Sequence, residues 1–159
     1  AKKSDITEAA LYRHFPSKRS IFSELFNFCD HSIAWKCAEI KKTNLCSEEK
    51  VKKIFLYFIL FLEKNKGFAR ILSREALSSD EQNVADAVNQ FFERLELNIK
   101  QILAEDSDKL LAQPGISAQF IVTSIEGTIS RYIRAKFKEQ PSSYSENIWT
   151  LIALSTFKD

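Results

Sequence analysis

The sequence predicts an all-α protein, on three observations. Glycine and proline number only three each among 159 residues, so few turn formers are available to punctuate a sheet-rich fold. Apolar residues recur at three- and four-residue spacing along most of the chain, the period of a helix with one buried face. Caps and prolines, rather than short alternating strands, separate the apolar runs. The length suffices for one domain with a sizeable core, and 13 phenylalanines make that core aromatic.

The first element is a short helix over Thr7–Phe15. Thr7 is suited to N-cap it, Glu8 lies in the first turn where the helix dipole favours an anion, and Ala9, Ala10 and Leu11 are strong helix formers. Pro16 disfavours helix through Phe15, and Ser17 can cap the next one. The outward face carries Thr7, Ala10, Arg13 and His14, with Tyr12 and Lys18 near the C-terminal end. Small residues followed by Tyr, Arg, His and Lys suit close approach to a phosphate backbone. Residues 1–5 look like the end of a preceding helix and a turn. The chain starts with Ala1 rather than Met, so the native N-terminus is expected upstream.

A long helix follows from Ser17 to about Lys42, its stripe running through Ile21, Phe22, Leu25, Phe26, Phe28, Cys29 and Ile33 and on to Trp35, Cys37 and Ile40. Ser47 and two glutamates open a helix over Val51–Lys64 that is apolar almost all round, hence buried or with one face waiting for a partner. Phe68–Leu77 reads as a short helix. Asp80 can cap another reaching about Ala104. Glu105–Gly115 is polar and is expected to be a mobile loop. Ser117 to about Lys138 is helical, with Gly127 permitting close approach of another helix, and Tyr144–Phe157 is the last helix. The last two helices are strongly apolar and suit a dimer interface built as a four-helix bundle, about 117–138 and 144–157.

Charge narrows the classes. The net charge is +2, from 23 basic and 21 acidic residues, so any nucleic-acid surface must be local. Cys29, Cys37 and Cys46 form no paired motif and suit a reducing cytoplasm. With His31 they match no common zinc spacing, and no metal site is expected. The longest apolar run, Ile54–Leu62, is too short to span a bilayer, and no membrane association is expected. No phosphate-binding glycine loop or nucleophile elbow occurs; Glu75, Asp80 and Glu81 read as a solvated cluster, and Arg131, Arg134, Lys136 and Lys138 as a solvated or interface-rim face.

The segment TEAALYRHFPSK resembles the end of the helix-turn-helix in TetR-type transcriptional regulators. LEKNKGFARIL, NQFFERLE and IEGTISRYIRAKFK, with Trp149 beyond, look like the nucleoid occlusion factors of that TetR/AcrR family. The resemblance implies a TetR-like fold: residues 1–16 ending a helix-turn-helix whose upstream helices are missing, and residues 17–159 forming a helical regulatory and dimerisation domain. It implies a cytoplasmic, nucleoid-associated homodimer on palindromic double-stranded DNA. When DNA-bound, such proteins antagonise assembly of the tubulin-like division protein FtsZ. No catalytic residue and no cofactor is implied.

Carried onto this chain, the resemblance makes Thr7, Glu8, Ala9 and Ala10 readers of base edges. Tyr12, His14 and Lys18 hold the backbone, and Arg13 suits either role. It sets the FtsZ-binding groove between the helix after Pro16 and the next one, at Phe28, Lys36, Tyr57, Leu60, Lys64 and Asn65. An apolar floor with two flanking lysines suits a short hydrophobic segment bearing acidic residues. Leu60 stands where the family has a glycine and Tyr57 where it has an aliphatic residue; Lys36 and Lys64 keep charge without arginine's bidentate fork. The competing expectation is a TetR-type repressor released by a small molecule. A deep, closed apolar pocket between the Val51 and Asp80 helices would favour that reading, and an open groove beside Phe28 and Tyr57 the other.

Overall fold

The computed structural model describes residues 18–74 and 82–159. Six α-helices follow one another: α1 Lys18–Lys41, α2 Ser47–Lys64, α3 Lys66–Leu72, α4 Gln82–Leu103, α5 Pro114–Arg134 and α6 Ser145–Thr156. Short 3-10 segments stand at Ala104–Lys109 and Pro141–Ser143. The fold among the described residues is all-α, as the glycine and proline scarcity predicts.

α2 is the central helix, packed against α1, α3, α4, α5 and α6. Its buried residues Val51, Ile54, Phe55, Phe58, Ile59 and Leu62 recur at helical spacing and cover more than one face. α4 buries the single stripe Val84, Val88, Phe91, Leu95, Ile99 and Ile102, and lies alongside α5 over much of its length. Aromatic rings fill the space between α2 and α4. Phe91 lies 5.8 Å from Phe58 and 5.6 Å from Phe68, centroid to centroid.

Three element boundaries differ from expectation, each for a local reason. α3 ends at Leu72, not Leu77: the Ser73 hydroxyl bonds the Arg70 carbonyl, and Arg74 turns into the left-handed region at φ 63°. The Asp80 cap lies outside the described residues. α5 begins at Pro114, whose missing N–H costs nothing in the first turn, so Ser117 is a buried helical residue and not a cap. It ends at Arg134, short of Lys138, where Lys136 and Phe137 adopt positive φ. The C-terminal helices of the expected interface are therefore 114–134 and 145–156.

The segment expected to be a mobile loop, Glu105–Gly115, is instead tied down at several points. Leu110 is buried and forms an isolated antiparallel bridge with Phe157. The Leu111 N–H donates to the Thr156 carbonyl at 2.9 Å, and the Lys158 N–H to the Lys109 carbonyl at 2.8 Å. Asp106 caps α2 from a distance: the Ser47 N–H donates to its Oδ2 at 3.1 Å, where α2 has no cap from its own neighbour Cys46. Beside it the buried Lys50 ammonium donates to Glu105 Oε1 at 3.1 Å and to the Lys41 carbonyl at 3.2 Å. One cation thus joins the end of α1 and the start of α2 to the segment that follows α4.

The hydrogen bonds from Ser47, with Lys109 and Lys50 nearby, hold the Asp106 carboxyl below its ordinary pKa. A depressed carboxylate stabilises the fold above its unfolded pKa, about 3.9, and that contribution is lost as pH falls through the folded value. Asp106→Ala should therefore cost about 1 kcal/mol at neutral pH, as for loss of a helix cap. The gap from the parent, followed by urea unfolding, should be constant above about pH 5 and narrow below about pH 4.

Candidate interaction surface

The residues named for the groove lie along the seam where α1 and α2 pack antiparallel. Phe28 is 65% exposed on the outer flank of α1, and Leu60 is 44% exposed on α2. Lys36 and Tyr57 meet across the seam, the ammonium 5.3 Å from the ring centroid, a cation–π contact. Burial, and then the neighbouring Cys37 and Cys29, raise the Tyr57 phenol above its ordinary pKa, so it is a neutral donor at physiological pH. Lys64 is exposed at the end of α2. Asn65 is half-buried, and its amide donates to the Phe61 carbonyl at 2.9 Å, so this side chain also closes α2.

Sequence reasoning missed the far half of the seam. Lys36, Glu39, Ile40 and Thr43 of α1 and its end, with Lys53 and Leu56 of α2, line an open cavity of about 420 Å³. The signal was present: Lys53, Leu56, Leu60 and Lys64 follow each other at three- and four-residue spacing on one face of α2. Exposed Trp35 lies seven residues from Phe28, two turns along the outer face of α1. The seam thus offers apolar side chains flanked by lysines, with open space between the helices.

Below the seam the core is closed. Tyr57 packs at a tilt against Phe61 at 5.9 Å, Phe61 meets Phe68 edge-on at 5.9 Å, and Phe68 meets Phe91. Between the Val51 helix and α4, where a deep chamber would favour a small-molecule repressor, these rings and Phe58 occupy the space. Cys29 and Cys37 are buried in the same region, and burial pushes their thiols up to about 12 and about 11, which keeps both protonated and inert.

A second surface lies on α5 and α6. Ile116, Phe120, Leu151 and Leu154 are exposed large apolar residues, Leu154 at 66%. A Cβ built on Gly127 would meet nothing within 4 Å, so the expected close approach does not occur within the chain. Gly127 instead borders an open groove of about 520 Å³ shared with Ser124, Thr128, Arg131, Tyr144 and Ile148. Of the residues named for DNA, Thr7, Glu8, Ala9, Ala10, Tyr12, Arg13 and His14 lie outside the described residues, and Lys18 is the first residue of α1.

The described residues thus form a helical bundle with an exposed apolar face on its last two helices, the architecture expected of a TetR-type regulatory domain. Known proteins agree. The SlmA-like family model, a tetracyclin repressor-like C-terminal domain, matches residues 47–155. Nucleoid occlusion factor SlmA of Vibrio campbellii is 33% identical over 157 residues, covering 96% of this chain and 80% of that protein. SlmA of Marinobacter nauticus is 32% identical over the same shares. Among solved structures, the repressor NalD of Pseudomonas aeruginosa superposes with a TM-score of 0.71 at 17% identity, covering 100% of this chain and 85% of that one. Bacillus subtilis FadR, in complex with stearoyl-CoA, gives 0.68 at 16% identity, covering 98% and 85%. At those identities the structures share the fold alone. The chain belongs to the SlmA-like family of TetR-type proteins.

Proposed function

We propose that this protein is a nucleoid occlusion factor: a homodimer that binds palindromic DNA through the segment Thr7–Lys18 and, when DNA-bound, inhibits FtsZ ring assembly over the chromosome. The observation that carries this reading is the 33% identity to a SlmA relative over 96% of the chain, because it runs through the regulatory domain as well as the reading segment. In this reading the chain divides at Pro16, with the end of the DNA-binding domain before it and the regulatory and dimerisation domain after it. The protein is a regulator in the cytoplasm, at the nucleoid, and needs no catalytic residue. The packed rings between α2 and α4 speak against the alternative, a repressor released by a small molecule held there.

The groove chemistry supports a peptide partner. Phe28, Leu60 and Leu56 offer apolar surface, and Lys36, Lys53 and Lys64 offer positive charge, so a short apolar segment of FtsZ with acidic neighbours fits both. Leu60 fills volume that a glycine would leave open, which makes the seam shallower; binding then relies more on the exposed ring of Phe28. DNA binding and FtsZ binding use separate residues in this scheme, so substitutions should separate them. Phe28→Ala with Leu60→Ala should weaken FtsZ binding at least tenfold in interferometry on DNA-bound protein and leave affinity for cognate duplex unchanged. Tyr12→Ala should do the reverse, weakening duplex binding without unfolding the dimer. Equal effects of both variants on both ligands would count against the scheme.

The second copy of the chain is the proposed occupant of the α5–α6 face. Exposed Ile116, Phe120, Leu151 and Leu154 form a ridge, and the Gly127 groove beside it can receive such a ridge from a two-fold-related partner. Leu154→Glu should convert the dimer to a folded monomer by light scattering, with the helical circular dichroism signal retained; a persistent dimer would move the interface elsewhere.

A further inference from the structure

The groove and the dimer face leave one charged region unused, at the end of α5. Arg70 and Lys66 of α3 lie over the ring of Phe137, the guanidinium carbon at 5.2 Å and the ammonium at 5.6 Å from its centroid. Arg134 closes α5, and Lys136 and Lys138 flank Phe137 in the chain. All five cations are exposed. Among the described residues, Glu139 pairs with Arg131 at 2.9 Å, and the Glu63 carboxylate, which stays anionic while accepting a hydrogen bond from the Ser142 N–H, stands against Lys66, Arg134, Lys136 and Lys138. A cation–π contact leaves the positive charge intact. The region therefore carries a local surplus of positive charge in a chain whose net charge is only +2.

The backbone there is held in an unusual state. Lys136 and Phe137 both sit in the left-handed region, at φ 55° and 62°. For a bulky residue such as Phe137 that is unfavourable and persists only where surroundings enforce it. They do so through the Lys136 N–H to Ile133 carbonyl bond at 2.8 Å and the Phe137 N–H to Tyr132 carbonyl bond at 3.0 Å. The Phe137 ring stands edge-on to Tyr132 at 4.9 Å. Lys136 and Lys138 thus flank, in the chain, the residue whose ring meets Lys66 and Arg70 of α3.

The position of this surface matters as much as its charge. α3 lies against the beginning of α1: a Cβ on Gly67 would come within 3.0 Å of Leu25 Cδ2. α1 begins at Lys18, the last residue of the segment proposed to read DNA. A duplex presents one phosphate charge about every 1.7 Å along its axis, so DNA held by that segment brings a dense polyanion to this end of the domain.

We propose that Lys66, Lys136 and Lys138 form a second DNA contact, engaging the phosphate backbone that flanks the bases read by Thr7–Lys18. The proposal rests on the DNA-binding reading above. Contacts of this kind add affinity and salt dependence without adding sequence preference.

The test is a salt titration of the full-length dimer on a mixed-sequence duplex long enough to span two half-sites and their flanks. Lys136→Gln with Lys138→Gln should flatten the slope of log affinity against log salt by about two, and Lys66→Gln, outside the strained turn, by about one. Thermal unfolding should be unchanged in both. Wild-type binding with unchanged slopes in the variants would overturn the second contact and leave the reading segment standing. No salt-dependent duplex binding by the wild type would overturn both. If the variants instead lose binding to phosphatidylglycerol vesicles while the duplex slopes stay unchanged, the surface serves a lipid and the DNA assignment falls.

Discussion

Phe91 is where the helices of this domain meet. Its ring lies 6.1 Å from Phe26 of α1, 5.8 Å from Phe58 of α2, 5.6 Å from Phe68 of α3 and 5.4 Å from Phe92 on its own helix. Burial of one such ring contributes about 1.5–3 kcal/mol, and each well-placed aromatic pair adds about 0.5–1.5 kcal/mol. Four helices are thereby fixed by contacts that depend on shape and cannot slide independently. Phe26 and Phe68 also meet each other, at 6.1 Å, so α1, α3 and α4 close a triangle of rings.

That arrangement decides where ligands can go. In a bundle with rings packed between α2 and α4, binding surfaces are pushed to the outside. The seam between α1 and α2 is one, and its Tyr57 is joined to Phe91 through Phe61 and Phe68. The face of α5 and α6 is another. At the opposite end of α1 from its first residue, Lys50 and Asp106 tie α1, α2 and the segment after α4 together by hydrogen bonds. The two devices hold α1 along its length: rings at Phe26, an ammonium at Lys41. In the proposed scheme α1 follows the reading segment and carries one side of the groove, so that DNA occupancy would act on the partner surface by positioning and by avidity.

Helix types and most buried stripes were legible in the sequence, because burial at three- and four-residue spacing is a local pattern. Val84, Val88, Phe91, Leu95 and Ile99 illustrate it. What was not legible depends on distant partners. Glu105–Gly115 reads as a polar loop, and nothing near Asp106 in the chain reveals that Ser47 needs its carboxylate. α5 ends before its apolar spacing does: Phe137 continues the spacing, whereas its ring is claimed by Tyr132 and Lys66 in a left-handed turn. For the proposed groove, residue types single out α1 and α2. Spacing alone cannot tell which apolar residues of α1 and α2 stay outside: Phe28, Trp35 and Leu60 sit on apolar runs like their buried neighbours Cys29 and Ile59. The reading segment carries its signal in a short motif.

In the proposed function it is the DNA-bound protein that acts on FtsZ. Sedimentation of FtsZ filaments tests it most directly, with full-length protein added in the presence and absence of its palindromic duplex. A marked loss of pelleted FtsZ is expected only when protein and duplex are both present. Pelleting unaffected by the DNA-bound protein would contradict it.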